Sequence, residues 1–267
     1  MRDYALHFPV VEIQNTFYEP PRDSVIKNWL STAAPSLEYT MKVWQLVTHA
    51  ASSPTYRRMK RAIDSTEEPG FFRESDSVDQ GWQRSVECAN LLSASAMLFQ
   101  SPASFRPEPD NVRRMRTFFE RIDRPRARLL WEPRGAQWAA ERGLALSLCR
   151  DLNLTYVVDP FVTQPATRCS VYWRLHGIGS SRHSYTDAEL TQLQQMLVDA
   201  EPAGVAYVMF TTCRASAMPN GSLALSASNR SDRRVGRRGS YVVDSKCPDR
   251  GRLVAGCRAS ASTLFAP

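Results

Sequence analysis

LLWEPRG, at residues 129–135, decides the fold of this chain, together with YVVDPF (156–161) and YWRLHG (172–177). Each segment begins as a short run of Leu, Val, Tyr or Trp and ends in charged groups. Apolar runs of this length and composition are typical of strands that are buried on both faces. Polar groups at the carboxyl ends of such strands are typical of the active sites of parallel α/β barrels. The three segments therefore predict a parallel barrel.

Four other runs bring the number of predicted strands to seven: VVEIQ (10–14), YTMKV (39–43), SAMLFQ (95–100) and VAYVMF (205–210). Segments with helical spacing separate most of them: Ser24–Leu30, Tyr56–Ile63, Trp82–Leu92, Asn111–Ile122, Gln137–Leu152 and Asp187–Val198. Strands that alternate with helices predict a parallel sheet covered by helices. The connection from Asp159 to Tyr172 is too short for a helical crossover of the usual kind.

The composition is that of one soluble domain. The chain has 267 residues, of which 43% are hydrophobic and 23% are charged, values that suit an α/β barrel. No apolar run approaches the roughly 20 residues that span a bilayer, and the amino-terminal residues lack the order of a signal peptide. The six cysteines show no metal-binding spacing such as CxxC. We therefore expect a cytoplasmic protein with reduced thiols and no membrane partner.

The net charge of +7 comes entirely from the carboxyl-terminal residues. Residues 1–210 contain 24 Lys and Arg and 24 Asp and Glu, whereas residues 211–267 contain 10 and 3. We therefore predict a barrel domain over residues 1–210 and a disordered, low-complexity basic tail over residues 211–267. Such a tail is typical of an arm that binds nucleic acid or an acidic partner, or of a solvated segment with no role. A third alternative is that the tail is not native coding sequence.

The seven strand segments, in this order, resemble the YecE-like family, the domain of unknown function numbered 72. The resemblance extends from about Tyr4 to Phe210 and implies a TIM-barrel-like fold of seven or eight strands. The family has no assigned biochemical role, so the resemblance implies a fold and no reaction. The Gly-rich first strand of the family pattern is missing here, which predicts an N-terminally truncated barrel with open sheet edges. Thr211 and Thr212 stand where the family usually has two Asn residues.

The strand ends supply the candidate site, because polar groups at the carboxyl ends of barrel strands face one mouth. The candidates for acid or base catalysis are Glu12, Glu132, Asp159 and His176. The candidates for ligand binding are Lys42, Arg134, Arg174, Gln14, Gln100 and Tyr185. Guanidinium groups bind phosphate or carboxylate through paired donors, and carboxylates beside cations have altered proton affinities. The set predicts a small phosphorylated or carboxylated ligand, with proton transfer or hydrolysis as the candidate chemistry.

Most of these candidates also have a structural explanation. Glu132 with Arg134 or Arg174 is equally typical of a buried ion pair. Asp159 precedes Pro160, so its carboxylate also suits a turn in which it accepts backbone N–H groups.

Ring side chains near the strand ends have two interpretations as well. Tyr185 is a candidate wall for a sugar or base, although such rings are more often part of the core. His176, before Gly177, also suits a turn. His49 lies beyond the second strand, where we favour capping of the next segment over a role in the site.

Metal chemistry and nucleic-acid binding are the competing functional hypotheses. Glu12, Glu132, Asp159 and His176 form an acceptable ligand set for Mn, Zn or Mg. Three fixed cations in the same ring would repel a divalent ion, so we predict no cofactor and rank a metal site below metal-free anion binding. The alternatives are a nucleic-acid-binding or processing protein, similar in shape to abasic endonuclease barrels, and a degenerate inactive copy. The zero net charge of residues 1–210 argues against nucleic acid except through the tail, and the sequence leaves open whether the protein is an enzyme.

Overall fold

The structure is a computed structural model that describes residues 8–63, 66–202 and 204–211, with two further strands near the carboxyl terminus. All seven predicted strands are confirmed. They are β1 (Val10–Ile13), β2 (Glu38–Lys42), β3 (Ala96–Ser101), β4 (Arg128–Pro133), β5 (Thr155–Val158), β6 (Val171–Leu175) and β7 (Ala206–Phe210). The pairings β2–β3, β3–β4, β4–β5 and β6–β7 are parallel. Helices separate successive strands except between β5 and β6, and this is the architecture of an α/β barrel.

Eight α-helices lie within the described residues. They are α1 (Asn15–Tyr18), α2 (Asp23–Thr32), α3 (Gln45–Thr48), α4 (Asp76–Leu92), α5 (Pro109–Arg121), α6 (Ala136–Ala140), α7 (Arg142–Asp151) and α8 (Asp187–Ala200). The predicted helices over α2, α4, α5 and α8 are confirmed with small changes in their bounds. In this part of the chain no helix is both long and apolar enough to cross a bilayer.

Two helix predictions were wrong in detail. The segment Tyr56–Ile63 contributes only the end of a 3-10 helix at Pro54–Arg58, which begins at a proline and stops before the extended Met59. The segment Gln137–Leu152 forms α6 and α7, because the backbone of Glu141 between them has φ −96° and ψ 37°, outside the helical region. The four-residue helices α1 and α3 were not predicted, since so short a segment shows no helical period.

Helix ends follow the capping residues in the sequence. The Ser75 hydroxyl accepts the N–H of Val78 at the start of α4 (3.4 Å). At the start of α8, the Thr186 hydroxyl accepts the N–H of Glu189 (3.3 Å), and the Glu189 carboxylate accepts the N–H of Thr186 (2.7 Å). This reciprocal pair is a capping box, which satisfies two of the backbone donors that a helix leaves unpaired.

Packing divides the described residues into two compact units. The amino-terminal unit consists of residues 12–33 and 38–157. The carboxy-terminal unit consists of residues 8–11, 34–37 and 158–211, with residues 242–243 and 253–258.

An aromatic cluster forms much of the core of the amino-terminal unit. Phe99 of β3 stacks on Trp82 of α4, with 5.6 Å between ring centres, and meets Phe119 of α5 edge-on at 4.9 Å. Trp131, one strand over on β4, is level with Phe99 and donates its indole N–H to the Ser101 hydroxyl (2.9 Å). Because side chains alternate along a strand, the helices cover the face of the sheet that carries Phe99 and Trp131.

The carboxy-terminal unit is built on β6 and β7, where Tyr172 is level with Tyr207 and the two rings stack at 5.5 Å. A further strand, β9 (Leu253–Ala259), pairs in parallel with β7, and β8 (Val242–Val243) pairs with β9 in antiparallel orientation. The sequence analysis predicted unpaired sheet edges, but the edge of β7 is paired with β9. The rest of the predicted tail, and residues 1–7, lie outside the described residues.

Candidate functional site

Three candidate side chains share one face of neighbouring strands in the amino-terminal unit. Lys42 is level with Leu98, and Gln100 is level with Glu132. Because residues two apart on a strand share a face, these side chains project from the face opposite to Phe99. The Lys42 ammonium donates to Oε1 of Gln100 at 3.1 Å. Lys42 is only 4% exposed and Glu132 only 2%, so this face buries charged groups.

The end of β1 adds a carboxylate and an amide. Nε2 of Gln14 donates to Oε1 of Glu12, and both side chains are buried. The amide oxygen of Gln14 is buried without a hydrogen-bond partner among the described residues. An unsatisfied buried acceptor costs about 1–3 kcal/mol, so this oxygen is a ready acceptor for a hydroxyl or amine.

Helix α1 supplies two contacts that the sequence analysis missed. The Lys42 ammonium nitrogen lies 3.8 Å from the centre of the Phe17 ring. The Thr16 hydroxyl donates to the backbone oxygen of Lys42 at 2.7 Å. These contacts tie α1 to the end of β2 and fix the position of the ammonium group. No sequence pattern marked Phe17, which looks like any buried aromatic residue.

His49 lies close to the same group. It caps the carboxyl end of α3, the helix that precedes it, whereas the sequence analysis favoured capping of the segment that follows. Its ring meets Phe17 edge-on with 4.9 Å between centres. Nδ1 lies 2.8 Å from the Thr48 hydroxyl. Burial, and to a lesser degree the charge of Lys42, lower the pKa of His49 from 6.5 to about 3. The imidazole is therefore neutral at physiological pH and can accept a hydrogen bond.

The turn after β4 positions Arg134. Its Nη1 donates to Oε1 of Glu132 at 2.9 Å, and the arginine side chain is 40% exposed whereas the glutamate is buried. Gly135 follows with φ +99°, and a Cβ there would lie 2.9 Å from the Cβ of Ala103. Glycine thus permits both the backbone conformation and the close approach of the two turns. Arg134 extends from a buried carboxylate to the solvent.

The carboxylate of Asp159, in the carboxy-terminal unit, binds backbone groups. Oδ1 accepts the N–H of Phe161 at 3.1 Å, and Oδ2 accepts the N–H of His176 at 2.7 Å. These bonds match the structural explanation considered for Asp159, with the addition of a bond to the turn after β6. Its place in a catalytic site stays a hypothesis.

His176 is held by a hydroxyl. Its Nδ1 lies 3.0 Å from Oγ1 of Thr211, and the same hydroxyl donates to the Leu175 carbonyl at 2.7 Å. Because a hydroxyl carries one hydrogen, this arrangement makes Nδ1 of His176 the donor to Thr211. Thr211 stands at one of the two positions where the family pattern has Asn, and Thr212 lies outside the described residues.

Arg174 and Tyr185 complete the candidates of this unit. Arg174 lies in β6, level with Met209, and is 1% exposed. The Tyr185 hydroxyl accepts the N–H of Gly177 at 3.0 Å, and its ring stacks on Phe161 at 5.7 Å. Tyr185 therefore supports the turn after β6.

The two units hold different parts of the candidate set. The amino-terminal unit holds Glu12, Gln14, Lys42, Gln100, Glu132 and Arg134, and the carboxy-terminal unit holds Asp159, Arg174, His176 and Tyr185. Over the described ranges, no three His, Cys, Asp or Glu side chains are grouped so that they could hold a metal ion.

The family model for "Protein of unknown function DUF72" matches residues 1–238. The chain belongs to the DUF72 family. Two solved structures of a DUF72 family protein from Enterococcus faecalis have a TM-score of 0.56 to this chain, at 16% and 19% identity. The first match covers 79% of this chain and 80% of that chain, and the second covers 80% and 87%.

A DUF72 family protein from Thermotoga maritima is similar to the same degree. Its TM-score is 0.55 at 20% identity, over 79% of this chain and 80% of that chain. At these identities the likeness shows the barrel fold alone. A comparison with curated proteins finds no match.

Proposed function

We propose that the carboxyl ends of β1 to β4 bind a small carboxylated or phosphorylated molecule that also carries a hydroxyl group. We further propose that Glu132 accepts a proton from this ligand. The observation that carries the proposal is the burial of Glu12, Lys42 and Glu132, together with a buried amide oxygen of Gln14 that has no partner among the described residues.

Burial of charge supports a functional role because it is costly. Removing an ionised group from water costs several kcal/mol even after relaxation, and apolar residues of similar volume often stabilise a protein as well or better. A face that served only as core would therefore favour apolar side chains in place of Lys42 and Glu132. Buried charges at strand ends of this fold are more typical of a binding site.

The contacts suggest a role for each side chain. Arg134 reaches solvent and uses only Nη1 in its bond to Glu132 within the described part of the chain, which leaves donors for an anionic group. Lys42, fixed by Gln100 and Phe17, supplies a second positive charge. The amide oxygen of Gln14 accepts the ligand hydroxyl.

A binding assay with matched variants tests the proposal. The probes are glycolate and malate, which carry a carboxylate and a hydroxyl but no phosphate, measured by thermal shift and calorimetry on the full chain. We expect at least one probe to raise the Tm, because a ligand that binds only the folded state stabilises it. The variants Lys42→Met and Arg134→Gln should lose this response, and Lys60→Met, at an exposed position of the same unit, should keep it.

The stability of the variants separates binding from structure. The response of each variant is measured against its own unliganded Tm, because Lys42→Met also removes the contacts of the ammonium group with Gln100 and Phe17. The proposal is wrong if no probe shifts the Tm. It is also wrong if the response survives in both site variants.

A further inference from the structure

A polar hollow lies on the amino-terminal unit, between the segment that precedes α4 and helix α5. Its volume is about 240 Å³, and it is lined by Glu68, Arg73, Glu74, Arg113, Arg114 and Thr117. We call it the arginine cleft. None of the strand-end candidates lines it. Drug-sized ligands usually occupy about 300–1,000 Å³, so a cleft of this size suits a smaller molecule.

The guanidinium of Arg73 is held in place by its own turn. Its Nη1 donates to the carbonyls of Pro69 (3.0 Å) and Gly70 (3.2 Å), and the group lies 5.1 Å from the centre of the Phe71 ring. These contacts use one nitrogen of the guanidinium. The side chain is half-buried, so the group is oriented and partly removed from water.

The turn that presents Arg73 is strained. Gly70, Phe71 and Phe72 have φ values of 84°, 56° and 54°, and the left-handed region costs an ordinary residue about 1–2 kcal/mol. The N–H of Gly70 donates to the carbonyl of Leu46 (2.7 Å), and the Phe72 ring is fully buried. Strain of this kind persists where surrounding contacts enforce it, and it clusters at functional sites.

Helix α5 supplies the other wall of the cleft. Arg114 and Thr117 are three residues apart and so lie on one face of the helix, and both are half-buried. Within the described residues neither Arg73 nor Arg114 has a carboxylate within ion-pair distance, whereas the exposed Arg113 pairs with Asp110 at 2.8 Å. Two half-buried cations thus line the cleft, and among the described residues neither is in an ion pair.

Mutual repulsion between these cations is consistent with an anion site. Burial lowers the pKa of Arg73, and the charge of Arg114 lowers it further, while Glu68 raises it. An anion bound between the two guanidinium groups would attract both of them and would offset the lowering of the Arg73 pKa by the charge of Arg114.

We infer that the arginine cleft binds the phosphate group of a small phosphate monoester. Arg73 and Arg114 donate to the phosphate oxygens, as paired guanidinium groups do, and the Thr117 hydroxyl donates a further bond. The exposed carboxylates of Glu68 and Glu74 stand at the rim, where they accept hydrogen bonds from hydroxyl groups of the ester and disfavour a second anionic group.

Calorimetric titration of the full chain with glycerol phosphate, inorganic phosphate and glycerol tests this inference. We expect glycerol phosphate to bind more tightly than inorganic phosphate, and glycerol not to bind. Arg114→Gln should weaken the binding of glycerol phosphate at least tenfold. Arg116→Gln is the matched control, because Arg116 lies on the same helix outside the cleft and pairs with Asp151 at 2.8 Å.

Two further variants keep the test decisive. Lys42→Met removes the strand-end ammonium, so binding that persists in this variant belongs to the cleft and not to the proposed strand-end site. Thr117→Val tests the hydroxyl without a change of charge and should weaken binding several-fold. Far-ultraviolet circular dichroism confirms that each variant is folded.

Three results would overturn the inference. The first is the absence of phosphate and monoester binding to the unaltered protein. The second is an equal affinity in the unaltered protein and Arg114→Gln. The third is an equal loss of affinity in Arg114→Gln and Arg116→Gln, which would show that the net positive charge of helix α5, and not the cleft, determines the affinity.

Discussion

The ammonium nitrogen of Lys42 lies 3.8 Å from the centre of the Phe17 ring, and this contact joins a strand end to a four-residue helix. The ring replaces part of the hydration that Lys42 loses on burial. It also places the edge of Phe17 against the neutral ring of His49. Phe17 therefore contacts both Lys42 and His49, and the charge of Lys42 contributes to the lowered pKa of His49.

The energy of this contact is measurable with a double-mutant cycle on Phe17→Leu and Lys42→Met. We expect a coupling energy of roughly 0.5–2 kcal/mol, the range of cation–π contacts from exposed to desolvated sites. Urea unfolding of the four proteins gives the value. Phe17→Tyr is the control, because it keeps an aromatic face. A coupling energy near zero would contradict the assignment.

The conformation of Gly135 predicts that alanine substitutions at two glycines have opposite effects on the free energy of unfolding. Gly135→Ala should destabilise the protein by more than about 1 kcal/mol, because the backbone has φ +99° and the new Cβ would meet Ala103. Gly143→Ala, in α7, meets nothing within 4 Å and should be neutral or stabilising by about 0.5–1 kcal/mol. Urea midpoints measure both. Equal effects would show that the turn conformation is not required.

The pKa of His49 predicts a dependence of stability on pH. In the unfolded chain the imidazole protonates near pH 6.5, whereas in the folded protein it stays neutral down to about pH 3. The unfolded state therefore binds the additional proton, so this contribution to stability is complete above pH 6.5 and decreases as the pH falls toward 3. The decrease approaches about 1.4 kcal/mol per pH unit.

His49→Gln isolates this contribution. At pH 5 the unaltered protein should have lost about 2 kcal/mol of unfolding free energy through His49 alone. The difference between the two proteins in unfolding free energy should therefore change by about that amount between pH 7 and pH 5. Parallel pH profiles would show that His49 titrates normally in the folded protein.

Asp159→Asn tests the bonds to the turn after β6. The amide can replace one carboxylate oxygen as an acceptor, but its NH2 group then faces a backbone N–H of Phe161 or His176. We expect a loss of roughly 1–3 kcal/mol of unfolding free energy, as for a buried donor left without an acceptor. Asp151→Asn, at an exposed ion pair with Arg116, should cost much less, because solvent screens an ion pair of this kind. A similar small cost at both positions would contradict the structural role.

The strands were predictable because their patterns are local. In runs such as LLW before Glu132 and VV before Asp159, the apolar residues indicate a buried strand and the charged residue that follows indicates where the strand ends. The sharing of one face by Lys42, Gln100 and Glu132 depends on strand register, which is set by the packing of the whole sheet. Sequence spacing therefore identified these residues without showing which of them touch.

Other features depend on residues far apart in the chain. The contacts of Phe17 with Lys42 and His49 arise only when α1 packs on the end of β2 and on the residue after α3. The amide oxygen of Gln14 is likewise left without a described partner only by burial in the folded protein. The arginine cleft likewise joins Arg73 to a helix that begins at Pro109. The break between α6 and α7 at Glu141 has no evident cause in the surrounding residues.

The parallel pairing of β7 with β9 has a consequence for how relatives of this chain can differ. Ala206 pairs with Leu253 and Phe210 with Cys257, so the two strands meet across a long connection. The entropy of closing a loop rises only with the logarithm of its length, and a doubling costs about 0.6 kcal/mol. Insertions and deletions between these strands should therefore be tolerated, and the connection can change widely in length at little cost to the pairing.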